Sequence, residues 1–257
     1  MIEGLSLDFV GHSCVVIDID GVRIATDPVT RARVGPLQRV VPVPAKARLA
    51  DVDLVLISHL HWDHLDLPSL KRFAAGPPIV VPAGAGEWLR KSGFPTVREL
   101  AIGETTEVGG IRIDGVPANH SGFRPPRGPT APAMGFVIQG TTCVYFAGDT
   151  DMFEQMSILP GPRIDVALIP VWGWGPTLGR GRHLDPERAA EALRLIRPRA
   201  AVPIHWGTYW PHSMATLVYP ERLVEPPAAF AEYATELAPD VRCLLTEVGA
   251  MVDLQGV

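Results

Sequence analysis

Ser58-His59-Leu60-His61-Trp62-Asp63-His64-Leu65-Asp66 is the stretch on which the reading of this 257-residue chain turns. Three imidazoles and one carboxylate, all potential metal ligands, fall within the six residues from His59 to His64. They follow directly on Leu54-Val55-Leu56-Ile57, an apolar run with the form of a buried strand that delivers a ligand loop. His59 and His61 alternate, so they point the same way where strand geometry persists. Asp63 and His64 lie on the turn and can face a second ion. Clustered imidazoles are costly to desolvate and repel one another once any is protonated, so such a cluster calls for a cation. A catalytic zinc takes about three protein ligands and keeps one position open, and the density here exceeds what one ion needs.

The composition is that of a folded chain, 47% apolar and 20% charged, long enough for one large domain or two small ones. The net charge of −5 argues against broad binding to nucleic acid or anionic membrane. Cys14, Cys143 and Cys243 are far apart and set in apolar runs, which suits small buried hydrophobes in a reducing compartment rather than a disulfide framework. Met1-Ile2-Glu3-Gly4 lacks the basic and long apolar regions of a signal peptide, and no apolar run approaches the roughly 18 residues needed to span a bilayer. A cytoplasmic location is therefore expected.

Strands are expected over residues 5–10, 14–19 and 22–26, the last two joined by Asp20-Gly21, and then over residues 52–58 and 79–81. Residues 27–50 show little periodicity and read as a long loop. Further strands are expected at 104–108, 111–116, 134–139, 142–147, 165–170, 200–204, 241–245 and 248–252. Helices are expected at 68–74, 85–92, 183–196 and 227–237, with a short one within 151–159. In the clearest of these Asp185 is the N-cap, Pro186 opens the first turn, and Ala189, Ala190, Leu193 and Ile196 form a helical stripe. Asp66 reads as a cap for the helix that follows it.

Three later segments repeat one pattern, a strand that ends in a polar residue: residues 111–118 before Asn119-His120, residues 144–147 before Gly148-Asp149-Thr150, and residues 201–204 before His205-Trp206-Gly207. Ligands at strand ends converge when the strands share a sheet edge. They come from both halves of the chain, so a single domain over 1–257 is expected.

With these segments in place the chain resembles the metallo-β-lactamase-fold hydrolases, whose pattern is His-x-His-x-Asp-His followed by a distant His, an Asp and a final His. His59, His61, Asp63, His64, His120, Asp149 and His205 fill all seven positions. The resemblance implies an α/β fold, a four-layer αββα sandwich with the metals at one edge. It implies one ion held by His59, His61 and His120, a second by Asp63, His64 and His205, and Asp149 as the bridge. Gly11-His12-Ser13, Thr26-Asp27-Pro28, His183-Leu184-Asp185-Pro186-Glu187 and Pro203-Ile204-His205-Trp206-Gly207-Thr208 are similar to the branch with ascorbate-6-phosphate lactonases and N-acyl-phosphatidylethanolamine phospholipase D. The full ligand set argues against β-lactamase activity. Flavin-linked di-iron relatives carry Glu at the second motif position, so His61 argues for redox-inert, hydrolytic metals.

The expected activity is hydrolysis of a small ester, a phosphodiester or lactone, by a hydroxide bridging two divalent ions. Zinc is favoured, with manganese or iron also suited to the ligand types. Asp63, Asp149 and His183 are the candidate catalytic groups, His183 because it precedes a helix N-terminus, a natural anion site. Asp27 is the candidate for orienting an imidazole from behind. Substrate contacts are expected from His12, Arg124, Trp172, Trp174, His183, Trp206 and His212, since aromatic walls with a few cationic groups suit an amphipathic or phosphorylated small molecule. The partner is thus a small molecule, with a homo-oligomer compatible and nucleic acid not expected. Two alternatives remain: a metal-dependent nuclease, disfavoured by the net charge of −5, and a non-catalytic, metal-stabilised binding protein.

Overall fold

The computed structural model of the chain describes residues 4–73, 76–173, 181–212 and 220–257. The strands are β1 (Leu5–Gly11), β2 (Cys14–Ile19), β3 (Val22–Thr26), β4 (Arg33–Val34), β5 (Leu37–Arg39), β6 (Leu54–Leu56), β7 (Ile79–Pro82), β8 (Val97–Leu100), β9 (Thr105–Val108), β10 (Ile111–Pro117), β11 (Met134–Gln139), β12 (Cys143–Phe146), β13 (Val166–Pro170), β14 (Ala200–Ile204), β15 (Tyr209–Pro211), β16 (Arg242–Cys243) and β17 (Ala250–Met251). The α-helices are α1 (Leu67–Leu70), α2 (Gly86–Lys91), α3 (Pro186–Ile196) and α4 (Glu225–Leu237).

Two seven-stranded sheets result, in the orders β17-β1-β2-β3-β6-β7-β8 and β16-β14-β13-β12-β11-β10-β9. Each is half antiparallel and half parallel: β1, β2 and β3 form a meander and β3, β6, β7 and β8 run parallel. In the second sheet β9 to β12 alternate and β12, β13, β14 and β16 run parallel. The period-2 alternation explains the layers. Val15, Ile17 and Ile19 face the second sheet with Phe136, Ile138 and Val144, whereas Cys14 and Val16 join the opposite core with Leu70 and Leu89 of α1 and α2. Ala189, Ala190 and Leu193 of α3 and Phe230 of α4 belong to the core shared with the second sheet. The arrangement is an αββα sandwich, with both faces of each sheet covered.

Strand direction decides where chemistry can collect. In the first sheet β1, β3 and β6 share one direction, so their carboxyl ends open on the same edge, at His12, Asp27 and the ligand loop. In the second sheet β10, β12, β13 and β14 do the same, ending before His120, Asp149, Trp172 and His205. The crevice outside the carboxyl ends of parallel strands is where α/β proteins put their sites.

Some elements differ from expectation. Residues 27–50 are not one irregular loop. β4 and β5 form a hairpin there, and β5 pairs with β15 in a three-stranded sheet. A 3-10 turn follows at Lys46–Leu49. The partner of Arg39 is Tyr209, so local periodicity carries no trace of the pairing. β8, with an exposed Arg98-Glu99 centre, escapes notice for want of an apolar pattern. The helix expected over 68–74 is the single turn α1, capped by Asp66, whose carboxylate accepts from Ser69 N. Asp185 caps α3 by accepting from Arg188 N.

Midway along β10, Asp114 is buried and accepts hydrogen bonds from Arg112, Thr105 and Gln139. Burial alone would raise its carboxyl, but these donors hold it below the ordinary carboxylate range. Its stabilisation should be complete above an unfolded pKa of about 4 and fade as pH falls through the lower folded value. Asp114→Asn should thus cost roughly 1–3 kcal/mol in denaturant unfolding at neutral pH, with the gap from wild type closing at acid pH. An unchanged gap at acid pH would remove the carboxylate from this account.

Candidate metal centre

Four of the imidazoles are oriented from behind, each by a partner that sets where its Nδ1 proton lies. His120 Nδ1 lies 2.7 Å from Arg182 O, and His205 Nδ1 lies 2.6 Å from Trp172 O. A carbonyl can only accept, so both rings carry a proton on Nδ1 and turn Nε2 inward. His64 Nδ1 donates to Asp27 Oδ2 at 2.7 Å, with the same result. Ser58 Oγ donates to Asp27 Oδ2 at 2.6 Å, which leaves it to accept from His59 Nδ1 at 3.0 Å. Asp27 thereby sets His64 directly and His59 through one hydroxyl, while its Oδ1 accepts from Ser58 N.

Two groups of inward atoms result. His59 Nε2 and His120 Nε2 lie 3.0 and 3.1 Å from His61 Nδ1. A tetrahedral ion with Zn–N bonds of about 2.0–2.1 Å holds its nitrogens roughly 3.3 Å apart, close to this spacing. A proton on His61 Nδ1 can be aimed at only one of its neighbours, so the trio suits a cation better than hydrogen bonding. In the second group, His64 Nε2 and His205 Nε2 each lie 3.7 Å from Asp63 Oδ2. Asp149 stands between the groups. Its Oδ2 is 3.9, 3.8 and 3.2 Å from the Nε2 atoms of His59, His120 and His64, and its Oδ1 is 3.1 Å from His205 Nε2. His64 Nε2 and Asp149 Oδ1 are fully buried and make no hydrogen bond of proper geometry, an arrangement that costs several kcal/mol unless a cation satisfies it. The donor set, imidazoles with carboxylates, fits zinc, manganese or iron.

The electrostatics divide the same way. Burial, then repulsion from His64 and His120, pushes His59 well below the ordinary histidine value, and burial pushes His120 down to about 4. These rings are neutral, the form that binds metal. Burial also opposes charge on His205, but Asp149 and Asp63 outweigh it and raise the ring to about 9. Both carboxylates are held well below their usual range by the facing imidazoles, against the effect of burial.

The backbone is strained at this edge. His12, Asp27 and His205 have φ values of +58°, +34° and +63°, a region that side chains rarely adopt and that clusters at functional sites. Gly148 has φ +61°, and a Cβ there would sit 2.6 Å from Ser58 Cβ, so glycine lets β12 bring Asp149 against the ligand loop.

A family model described as the beta-lactamase superfamily domain matches residues 22–206. The chain belongs to this superfamily. A metal-dependent hydrolase of Methanopyrus kandleri is 31% identical over 95% of this chain and 98% of its own length. An N-acyl-phosphatidylethanolamine-hydrolyzing phospholipase D of Caenorhabditis elegans is 34% identical over 80% of this chain, and the match spans 65% of that longer protein. Among solved structures, a metallo hydrolase of Ignicoccus hospitalis aligns with a TM-score of 0.74 and 26% identity over 96% of this chain and 97% of that one. The protein is therefore a metal-dependent hydrolase of the β-lactamase superfamily, and no helix among the described residues is long and apolar enough to cross a membrane.

The sandwich brings His59, His61, Asp63, His64, His120, Asp149 and His205 to one place, and His183 joins them with Nε2 3.1 Å from Asp149 Oδ2. Several expected substrate contacts lie elsewhere. Arg124 is turned onto the ligand loop, where Nη1 donates to Leu60 O and Leu65 O and the guanidinium covers the Trp88 ring. Trp206 is core, with its N–H on Pro203 O and its ring against Phe9. Trp172 is buried and stacks on Trp210 while its carbonyl orients His205. His212 is exposed, and its backbone N–H donates to Pro36 O. His12 is buried behind Asp63. Trp174 lies outside the described residues.

Sequence reasoning missed Ser58, although its place between the strand and His59 was a signal. It also missed Trp62, half-buried, whose ring lies so close over Gly35 that a Cβ there would clash at 2.0 Å. Ser58→Ala should remove the link from Asp27 to His59 and weaken metal affinity roughly 10–100-fold in competition with a chelator. Wild-type affinity in that variant would show that the hydroxyl does not set the ring.

Proposed function

We propose that this chain is a dinuclear metal-dependent phosphodiesterase acting on a small substrate, with lactone opening as the neighbouring ester chemistry. The observation that carries this reading is the convergence of five inward imidazole nitrogens on two carboxylates, with buried atoms that lack a hydrogen bond of proper geometry. His59, His61 and His120 would hold one ion, Asp63, His64 and His205 the other, and Asp149 would bridge them. Two such ions, zinc by preference, supply a lowered water pKa and polarisation of a phosphoryl or carbonyl oxygen. The name of the C. elegans relative supports the phosphodiester over the lactone. The net charge of −5 speaks against a nuclease. One domain over 1–257, a cytoplasmic location and a homo-oligomeric state are compatible with this reading.

The protein's own groups divide the proton traffic. Asp149 Oδ2, facing both ligand groups, accepts a proton from the attacking water as its oxygen bonds to phosphorus. His183 Nε2 carries the proton it shares with Asp149 Oδ2, and passes it to the leaving oxygen as the P–O bond breaks. The His183 side chain is 10% exposed against 2% for Asp149, so it sits on the outer side of the centre, where a leaving group departs. Asp63 keeps its charge and balances the second ion. His61 and Trp62 are half-buried, more open than the fully buried His59 and His64 beside them.

Turnover of bis-p-nitrophenyl phosphate should vanish on chelation, return with zinc or manganese, and be abolished in His61→Ala and Asp149→Ala. Lactone opening without phosphodiester cleavage would move the assignment to lactonase, and inactivity on both classes with two ions bound would overturn the hydrolytic reading. His183→Gln should keep both ions and lose roughly 10²–10⁴-fold in rate on an alkyl ester. It should lose far less on p-nitrophenyl esters, whose leaving group needs no proton. Equal losses on the two would remove His183 from the role of proton donor.

A further inference from the structure

His12 was expected to touch substrate, yet it is 2% exposed and faces inward. Its Nε2 lies 3.0 Å from Asp63 Oδ2. A carboxylate can only accept here, so His12 presents Nε2–H to it. Burial, with His205 nearby, pushes the His12 ring down to about 3, and a neutral ring donating one N–H suffices for this contact. The His12 and His205 rings are 3.9 Å apart between centroids. The His12 carbonyl accepts from His205 N at 2.9 Å, and His12 N donates to Thr208 Oγ1 at 2.7 Å. One residue therefore meets all three side chains assigned to the second ion: Asp63 through its ring nitrogen, His205 through its ring face and carbonyl, and His64 through a ring contact at 5.4 Å between centroids. None of the three side chains of the other group, His59, His61 and His120, is hydrogen-bonded to it.

The left-handed backbone makes this possible. With φ at +58° the turn after β1 folds His12 back under the β14 end, whose own His205 has φ +63°. Gly11 precedes it at φ +131°, and a Cβ there would meet Arg39 Nη2 and Thr208 Oγ1 at 3.0 Å, so the turn is packed on both sides. An imidazole held in such a conformation by a non-glycine residue is a costly choice for mere filling.

We propose that His12 is the positioning residue of the second metal subsite: its Nε2–H fixes the Asp63 carboxylate and its ring and carbonyl fix His205, so that this subsite, and not the His59/His61/His120 subsite, depends on it. The proposal rests on the two-ion reading above. Groups behind metal ligands of this kind typically change affinity 10–100-fold when removed.

The test is a titration of the metal-free full chain with zinc, scored as stoichiometry against a competing chelator, with cobalt(II) absorption as a second readout. Wild type should take two equivalents. His12→Phe keeps a ring against His205 but has no N–H, and should retain one tight equivalent while the second weakens roughly 10–100-fold. His12→Gln can offer its amide N–H to Asp63 and should restore the second equivalent to within a few fold. Thermal unfolding of the metal-free forms separates folding from binding, and His12→Ala replaces His12→Phe if the latter fails to fold. Two tight equivalents in His12→Phe would overturn the proposal. Equal loss in His12→Phe and His12→Gln would overturn it too, in favour of the imidazole as a direct ligand. One equivalent in wild type would instead bring down the two-ion reading, a result distinct from either.

Discussion

Seven of the eight histidines of this chain crowd one edge of the sandwich, and bringing so many imidazoles out of water together is unfavourable without a cation. Everything nearby answers that constraint. Carbonyls of Arg182 and Trp172 hold protons on the far side of two rings, Asp27 serves two more, and both central carboxylates face inward. The core between the sheets has the complementary task of keeping β6 and β12 close enough for Asp149 to reach both ligand groups. Gly148, pressed on Ser58, marks how little space is left.

Orientation from behind explains why ligand types alone understate the design. A histidine that binds through Nε2 needs its Nδ1 proton tied down, or the ring spends part of its time as the wrong tautomer. Here the ties differ in chemistry: two neutral carbonyls, one carboxylate and one hydroxyl backed by that carboxylate. The charged tie, Asp27, sits under His64 and indirectly under His59, so a change at one buried carboxylate is transmitted to a ligand in each group.

The candidate ligand set was legible in the sequence because its segments follow strand ends, beside apolar runs that announce themselves. The sandwich was legible for the same reason, through runs such as 14–19 and 134–139. What stayed hidden depends on distant partners. The β5–β15 pairing joins Arg39 to Tyr209 across most of the chain, and nothing local to either residue signals it. Arg124 and Trp206 lie near the motifs in sequence and were read as substrate walls. Their side chains instead satisfy main-chain carbonyls, at Leu60, Leu65 and Pro203, which only the folded path of the chain reveals. His12 shows the subtler case: read from the sequence as a substrate contact, it lies buried against Asp63 and His205.

Because the strands that carry ligands all finish at one edge, the hairpin turns at the other edge have no part in the chemistry. The turn at Asp20-Gly21 meets the turn at Gly140-Thr141 there, with Thr141 N and Oγ1 donating to the Asp20 carboxylate. Gly109-Gly110 makes a third turn between β9 and β10, near Val22. The molecule has, in effect, a reactive pole and a mute one. Fluorophores, affinity handles or a grafted fusion partner belong at the mute pole, beside Gly110 and not on it: nothing lies within 4 Å of an added Cβ there, but its φ of +84° disfavours any side chain.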